Sequence, residues 1–208
     1  MMRPDTIKQR IQNHIDRDPK KRVYTLTDFY LDGGNYESVK KTVSRLVSEV
    51  KLLRVNNGVY ESPYYSRFLE RQVDASPLDV AKKIAEKNHW TIVPSGNTAL
   101  NALGLSTQVP MEYHFVSNGI NKEFKLGKIS IYFKHVPPRE IDGMSSKNAL
   151  IIEAVKAIGK AGMNDSIRAQ ITSLLSDSEK KRILRESMTS RVWIFEEVRR
   201  ILAVTCTK

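Results

Sequence analysis

The stretch from Asn35 to Tyr60 constrains the fold more than any other part of the chain. Behind Asn35, a residue type that caps helices, Val39, Val43, Leu46, Val47 and Val50 recur three and four positions apart. That spacing predicts a helix with one apolar, core-facing side. At about 3.6 residues per turn, the opposite side carries Glu37, Ser38, Lys41, Ser44, Arg45 and Ser48, with Lys40 at its edge. Leu53-Arg54-Val55-Asn56 and Val59-Tyr60 then flank Asn57-Gly58. Asn-Gly favours positive φ, so this segment predicts a hairpin with a two-residue turn.

The residues upstream supply what such a helix and hairpin need for a core. Pro4 suits a first helical turn, and Ile7, Ile11 and Ile15 form one stripe of a helix that ends before Pro19. Arg22-Val23-Tyr24 reads as a short strand. Thr25 or Thr27 can cap a brief second helix through Phe29, Tyr30 and Leu31, which Gly33-Gly34 breaks. None of these helices buries its stripe alone, so they are expected to pack together with the hairpin alongside. The order helix, strand, helix, turn, helix, hairpin predicts a winged helix-turn-helix over residues 1–63.

In that fold the third helix enters the major groove of DNA while the wing and neighbouring helix ends touch phosphates. Lys41, Ser44 and Arg45 are therefore the base-edge candidates, with Ser38 on the same face. Lys40, Arg54, Asn56, Asn57 and the backbone near Thr25 and Thr27 are the phosphate candidates. The run Lys20-Lys21-Arg22 either adds to them or is a solvated loop. Two other readings stay open for the head itself: a solvated basic helix face, or a winged helix used for protein contacts.

Composition favours the polyanion reading. Among 208 residues, 40% are hydrophobic and 27% charged, which describes a globular protein with a core, and the net charge is +11. The excess is +5 over residues 1–72 (14 basic, 9 acidic), +2 over 73–138 (7 and 5) and +4 over 139–208 (13 and 9). A basic balance favours association with nucleic acid and says nothing about fold. Cys206 is the single cysteine, so neither an intramolecular disulfide nor a cysteine zinc cluster is expected. Without a signal-peptide core, and with no apolar run near the roughly 20 residues that span a bilayer, a cytoplasmic protein is expected.

Ser62-Pro63 marks a boundary, and residues 64–76 read as a connecting helix or loop with Tyr65, Phe68 and Leu69 available for packing between domains. A second domain is expected over 77–208. It starts with a helix carrying Leu78, Ala81, Ile84 and Ala85 and a strand Trp90-Thr91-Ile92-Val93 that stops at Pro94. A short helix follows through Ala99, Leu100, Ala102 and Leu103, ended by Gly104. Tyr113–Val116, Glu123–Leu126 and Ile129–Phe133, joined at Asn118-Gly119 and Gly127-Lys128, predict an antiparallel meander that closes near Pro137-Pro138. The tail reads as helices over Ala149–Ile158, Ser166–Leu175 and Ser178–Met188, then a last helix with Val192, Trp193, Phe195, Val198, Ile201 and Leu202. The expected class is α+β: a winged helix-turn-helix, a mixed α/β domain and a helical C-terminal tail.

The stretch Pro94-Ser95-Gly96, continuing from Asn101-Ala102-Leu103-Gly104-Leu105 through Ser106-Thr107-Gln108-Val109-Pro110, resembles the AbiEi-type antitoxins of type IV toxin-antitoxin (abortive infection) systems. The likeness also takes in Asn57-Gly58-Val59-Tyr60, the strand with Ile129, Tyr132, Phe133 and Lys134, and Ala157-Ile158-Gly159-Lys160. It covers most of residues 1–162, and LGLSTQVP is its specific part. The resemblance implies a cytoplasmic prokaryotic two-domain antitoxin. Its winged helix would repress its own operon at inverted repeats in double-stranded DNA, while the C-terminal part counteracts a nucleotidyltransferase-like toxin without a stable complex. Read from the residues alone, Ser95, Gly96 and Asn97 either hold a phosphate at a helix start or simply make a capped turn. Ser106, Thr107 and Gln108 either form a binding surface or satisfy loop backbone groups before Pro110.

Enzyme readings rest on less. Ser95, His114 or His135, and Asp142 are the ingredients of a hydrolase triad, but the G-x-S-x-G elbow is absent. His14, His89, His114 and His135 lack metal-site spacing, and no Walker loop or dinucleotide fingerprint occurs, so no cofactor and no metal is expected. A metal-dependent nuclease using Glu112, Glu123 and Asp142 is a minor alternative. In the tail, Trp193 and Phe195 are core or a docking pair, and Arg199-Arg200 and Lys180-Lys181-Arg182 are solvated faces or a second nucleic-acid surface.

Overall fold

A computed structural model describes residues 5–17, 22–30 and 34–203. Pro4, Pro19, Lys20, Lys21, Leu31, Gly33 and Cys206, which figure in the expectations above, lie outside the described residues. The chain is mixed α+β with a helical C-terminal region, and it divides into two compact units, Met1–Asn88 and His89–Lys208. No helix among the described residues is long and apolar enough to cross a membrane.

The first unit contains α1 (Ile7–Arg17), β1 (Val23–Thr25), α2 (Leu26–Tyr30), α3 (Tyr36–Ser48), β2 (Leu53–Asn56) and β3 (Val59–Glu61). After them come a two-residue-stranded hairpin, β4 (Tyr65–Ser66) and β5 (Arg71–Gln72), and helix α4 (Pro77–Lys87). Strands β1, β3 and β2 form an antiparallel sheet in that order. Ile11, Tyr24, Phe29, Val39, Val43, Leu46, Leu52 and Tyr60 make one core, in which the Tyr24 and Phe29 rings stack at 5.2 Å. Beneath β3, the carboxylate of Glu61 is buried and paired with the Arg22 guanidinium, which also donates to the carbonyls of Val73 and Asp74. Burial pushes the Glu61 carboxyl up, opposed by Arg22.

Two expectations for residues 64–88 fail. The segment after Pro63 is a β-hairpin, and its Phe68 is 94% exposed at the turn, with Tyr65 and Leu69 also exposed. Helix α4, expected to open the second domain, belongs to the first unit, where it packs on β1 and β3. Its apolar Val80, Ala81, Ile84 and Ala85 are buried, and Lys83 is 3.1 Å from Asp28 at the start of α2. Its amphipathic pattern shows that a face must be covered but not by which sheet.

The second unit contains β6 (Ile92–Pro94), α5 (Asn97–Ala102), β7 (Glu112–Ser117), β8 (Lys122–Leu126) and β9 (Ile129–His135). Helices α6 (Ser146–Gly162), α7 (Asp165–Ser173), α8 (Asp177–Glu186) and α9 (Val192–Ala203) follow. The expected antiparallel meander is not formed. The strand order is β6-β7-β9-β8, with β7 and β9 parallel and only the outer pairs antiparallel. Gly127 does turn β8 into β9, but Asn118-Gly119 makes no hairpin. Gly119 instead lies against Trp90, whose ring would be 2.3 Å from an added Cβ, so glycine there answers to packing. Helix α6 buries Asn148, Ala149 and Ile151–Val155 on all sides, against the sheet through Ala149 and against α7–α9 through Ile151, Ile152 and Val155. It turns sharply at Gly159, φ 69°, and continues to Gly162. Trp193 packs against the helical core, as do Val198, Ile201 and Leu202.

Candidate functional site

Helix α3 sorts its residues by face. Asn35 caps it, its Oδ1 accepting from the Ser38 N–H at 2.8 Å, and Val39, Val43 and Leu46 are fully buried. Lys40, Lys41, Ser44 and Arg45 are exposed and Ser38 is half-buried. The three cations make no hydrogen bond or ion pair among the described residues. The helix ends at Ser48, so Val50, expected on the apolar face, sits instead in a left-handed turn at φ 56° and is exposed.

The hairpin stands beside that face. Gly58 turns the chain at φ 70°, and the pairing slips between Arg54 and Asn56. Arg54 donates to Asn57 Oδ1 at 3.3 Å, and Asn56 Oδ1 accepts from the Asn57 N–H at 2.6 Å. Between helix and hairpin lies a recess of about 390 Å³ lined by Tyr36, Lys40, Ser44, Arg54, Asn57 and Tyr60. Burial pushes the Tyr60 phenol up and Arg54 pulls it down, so this hydroxyl stays protonated and available as a donor. The arrangement offers cations, hydroxyls and amides in and around that recess, which is the chemistry that meets phosphates and base edges.

Thr25 does not join this surface. It is buried, and both its N–H and its hydroxyl donate to Asp28 Oδ2, at 2.7 and 2.8 Å. The N–H and hydroxyl of Thr25 are thus both committed to Asp28, whose carboxylate stands at the start of α2. Thr27 is exposed in the first turn of α2.

The Pro94–Gln108 stretch lies in the second unit. Pro94 ends β6, the Ser95 N–H donates to the His114 carbonyl at 2.9 Å, and Gly96 at φ 57° starts α5 with Asn97 exposed. The N-cap is Gly96, no side chain caps the helix, and α5 is only six residues long. The Asn101 carbonyl accepts from Gly104, Leu105 packs on the helical core, and Ser106 Oγ accepts from the Gln108 N–H at 3.3 Å. Asn101 Oδ1 is buried without a hydrogen-bond partner among the described residues. Thr107, Gln108, Val109 and Met111 are exposed, so the loop presents a mixed polar and apolar surface.

The candidate catalytic groups are turned to other partners. The His114 ring stacks on Tyr132 at 4.9 Å with Nε2 3.2 Å from Glu112, and His135 Nδ1 lies 2.6 Å from the Gly119 carbonyl. Glu123 accepts from Ser130. Among the described residues, no three His, Cys, Asp or Glu side chains gather as a metal site.

A family model described as a family of unknown function, DUF6088, matches residues 10–183. The chain belongs to the DUF6088 family. No curated protein matches it. Among solved structures, this DUF6088 chain is similar to the crystal structure of the RV2827C protein from Mycobacterium tuberculosis, at 13% identity and a TM-score of 0.46, covering 97% of this chain and 78% of that one.

One residue at the surface of this DUF6088 protein escaped the sequence reading. Lys87, in the last turn of α4, reaches the hairpin and donates to the Asn57 carbonyl at 2.6 Å. Its stem fills the space over Gly58, where an added Cβ would be 3.1 Å from Lys87 Cε. The signal for it was the basic pair Lys83 and Lys87, one turn apart on the polar side of α4.

Proposed function

We propose that the first unit is a winged helix-turn-helix that binds double-stranded DNA, with α3 in the major groove and the Asn57-Gly58 hairpin as the wing on the phosphate backbone. The observation that carries this reading is the bare face of α3: Lys41, Ser44 and Arg45 stand in solvent, their cations unpaired among the described residues, because the valines of the same helix are buried. Lys40, Arg54, Asn57 and Lys87 flank that face as phosphate ligands or supports. Together with the resemblance to AbiEi-type antitoxins, this supports a cytoplasmic, non-enzymatic autorepressor of a toxin-antitoxin operon, whose second unit counteracts a nucleotidyltransferase-like toxin.

A gel-shift titration on the DNA upstream of the protein's own gene, at several salt concentrations, tests it. Retardation that is stronger than on scrambled DNA and falls steeply with salt is expected. Equal affinity for both sequences, or no retardation at physiological salt, removes the repressor reading. A second reading, a winged helix used as a protein-contact module, is favoured by the exposed Tyr65, Phe68 and Leu69 of the β4–β5 hairpin and predicts no retardation.

A further inference from the structure

The second unit has a concave site that the DNA-binding reading does not use. A cavity of about 860 Å³ opens between the turn after Pro138 and the junction of α8 with α9. Volumes of roughly 300–1,000 Å³ are typical of small-molecule sites. Ile152 and Ile194 are buried and Met144 half-buried, so these three form its apolar floor. Arg139, Arg185 and Arg191 are exposed and form its rim.

The charges around this cavity do not balance. Lys156 is shared between the buried Glu153 at 2.7 Å and Glu140 at 3.4 Å, and Glu186 accepts from Arg182 and from the N–H and hydroxyl of Ser145. Asp142 is the one lining carboxylate without a side-chain partner among the described residues, and none of the three rim arginines has one either. The lining carries four cations (Arg139, Lys156, Arg185 and Arg191) against three carboxylates (Glu140, Asp142 and Glu186), a surplus of one positive charge, and its unpaired guanidiniums stand at the rim above an apolar floor. Guanidinium forks match phosphate oxygens, and a phosphate monoester carries about −1.5 to −2 at neutral pH.

We infer that this cavity binds a small phosphorylated ligand whose apolar ring system rests on Met144, Ile152 and Ile194 while its phosphate meets the rim arginines, the chemistry of a nucleoside monophosphate. Concavity selects a small molecule over a macromolecular surface, and charge selects the dianion.

Calorimetric titration of the full chain with AMP, GMP, CMP and UMP, beside adenosine and inorganic phosphate, tests this. At least one nucleotide is expected to bind saturably and more tightly than adenosine or phosphate. Arg139→Ala, Arg185→Ala and Arg191→Ala should each weaken it about tenfold, the effect of losing one charge-assisted hydrogen bond. Asp142→Asn should strengthen it. Melting of each variant without nucleotide checks that these exposed positions leave the fold intact. Absence of saturable binding by any of the four at low salt overturns the inference. So does binding that survives replacement of all three arginines together, or phosphate binding as tight as the best nucleotide.

Discussion

Helices α3 and α6 are each central to their own unit, but they are used in opposite ways. Helix α3 turns Val39, Val43 and Leu46 inward and leaves Lys40, Lys41, Ser44 and Arg45 to solvent, whereas α6 buries seven residues between Asn148 and Val155 all round. A helix buried on one side can offer its other side to a partner; α6 offers only the edge that Ile152 and Lys156 lend to the cavity. Recognition in the first unit can therefore sit on a helix face. In the second unit it is left to loops and to the cavity at the helix ends. The same contrast separates two kinds of surface: a bare basic helix face suits a polymer, while an arginine-rimmed hollow suits a small anion.

The largest effect expected from breaking this contrast comes from the buried ion pair of the first unit. Arg22→Ala leaves the Glu61 carboxylate buried and unpaired, and should cost about 3–5 kcal/mol. Chemical denaturation, with amide exchange in α3 as the local readout, measures it; protection in α6 should change far less. Next, Lys41→Ala or Arg45→Ala should lose about 1–3 kcal/mol of operator binding if the side chain reads a base, with stability within about 0.5 kcal/mol of the parent. Arg54→Ala should instead weaken binding to every sequence and flatten the salt dependence.

A smaller effect is expected at the hairpin tip. Gly58→Ala puts a side chain at φ 70° and against Lys87, costing about 1–2 kcal/mol, and Lys87→Ala should lower DNA affinity by freeing the turn. If the wing acts only through Arg54, Lys87→Ala will leave gel shifts unchanged.

Acid sharpens the comparison by direction. In the second unit, Lys147 and Ser176 hold Glu179 at about 2, below its ordinary 4.5. Burial pushes Glu186 up, but Arg182 and Ser145 outweigh it and hold it at about 2 as well. Both carboxyls are depressed in the folded state, so their contribution is present above pH 4.5 and is lost as pH falls towards 2. Glu61 in the first unit is raised, so its contribution has the other sign: present below its unfolded value and lost as pH rises through the folded one. Thermal melts across this range, read on Glu179→Gln/Glu186→Gln and on Glu61→Gln, should show opposite slopes relative to the parent.

What the sequence disclosed follows from how local each cause is. Asn35, the valine spacing and Asn57-Gly58 act within a few residues, so α3 and its hairpin were legible, and so was the exposure of Lys41 and Arg45. The parallel β7–β9 pair was not, because alternation along Glu112–Ser117 is the same whichever strand lies alongside. Asn118-Gly119 misled for a related reason: the pair is a common turn signal, yet this glycine answers to the Trp90 ring from 29 positions upstream. That Thr25 turns inward was not legible, because its pairing with Asp28 commits its own N–H and hydroxyl in a way that cap chemistry alone did not single out. The arginines of the second unit's cavity, at 139, 185 and 191, are too far apart in sequence to be read as a group.

Asp28 has a practical consequence for anyone excising the N-terminal half. One carboxylate caps α2 through Thr25 and anchors Lys83 of α4. A fragment stopped at Pro63, where composition suggests the seam, would take Lys83 away from that carboxylate, uncover the sheet beneath Ala81 and Ile84, and delete the lysine that reaches the hairpin. The scissors belong after Asn88.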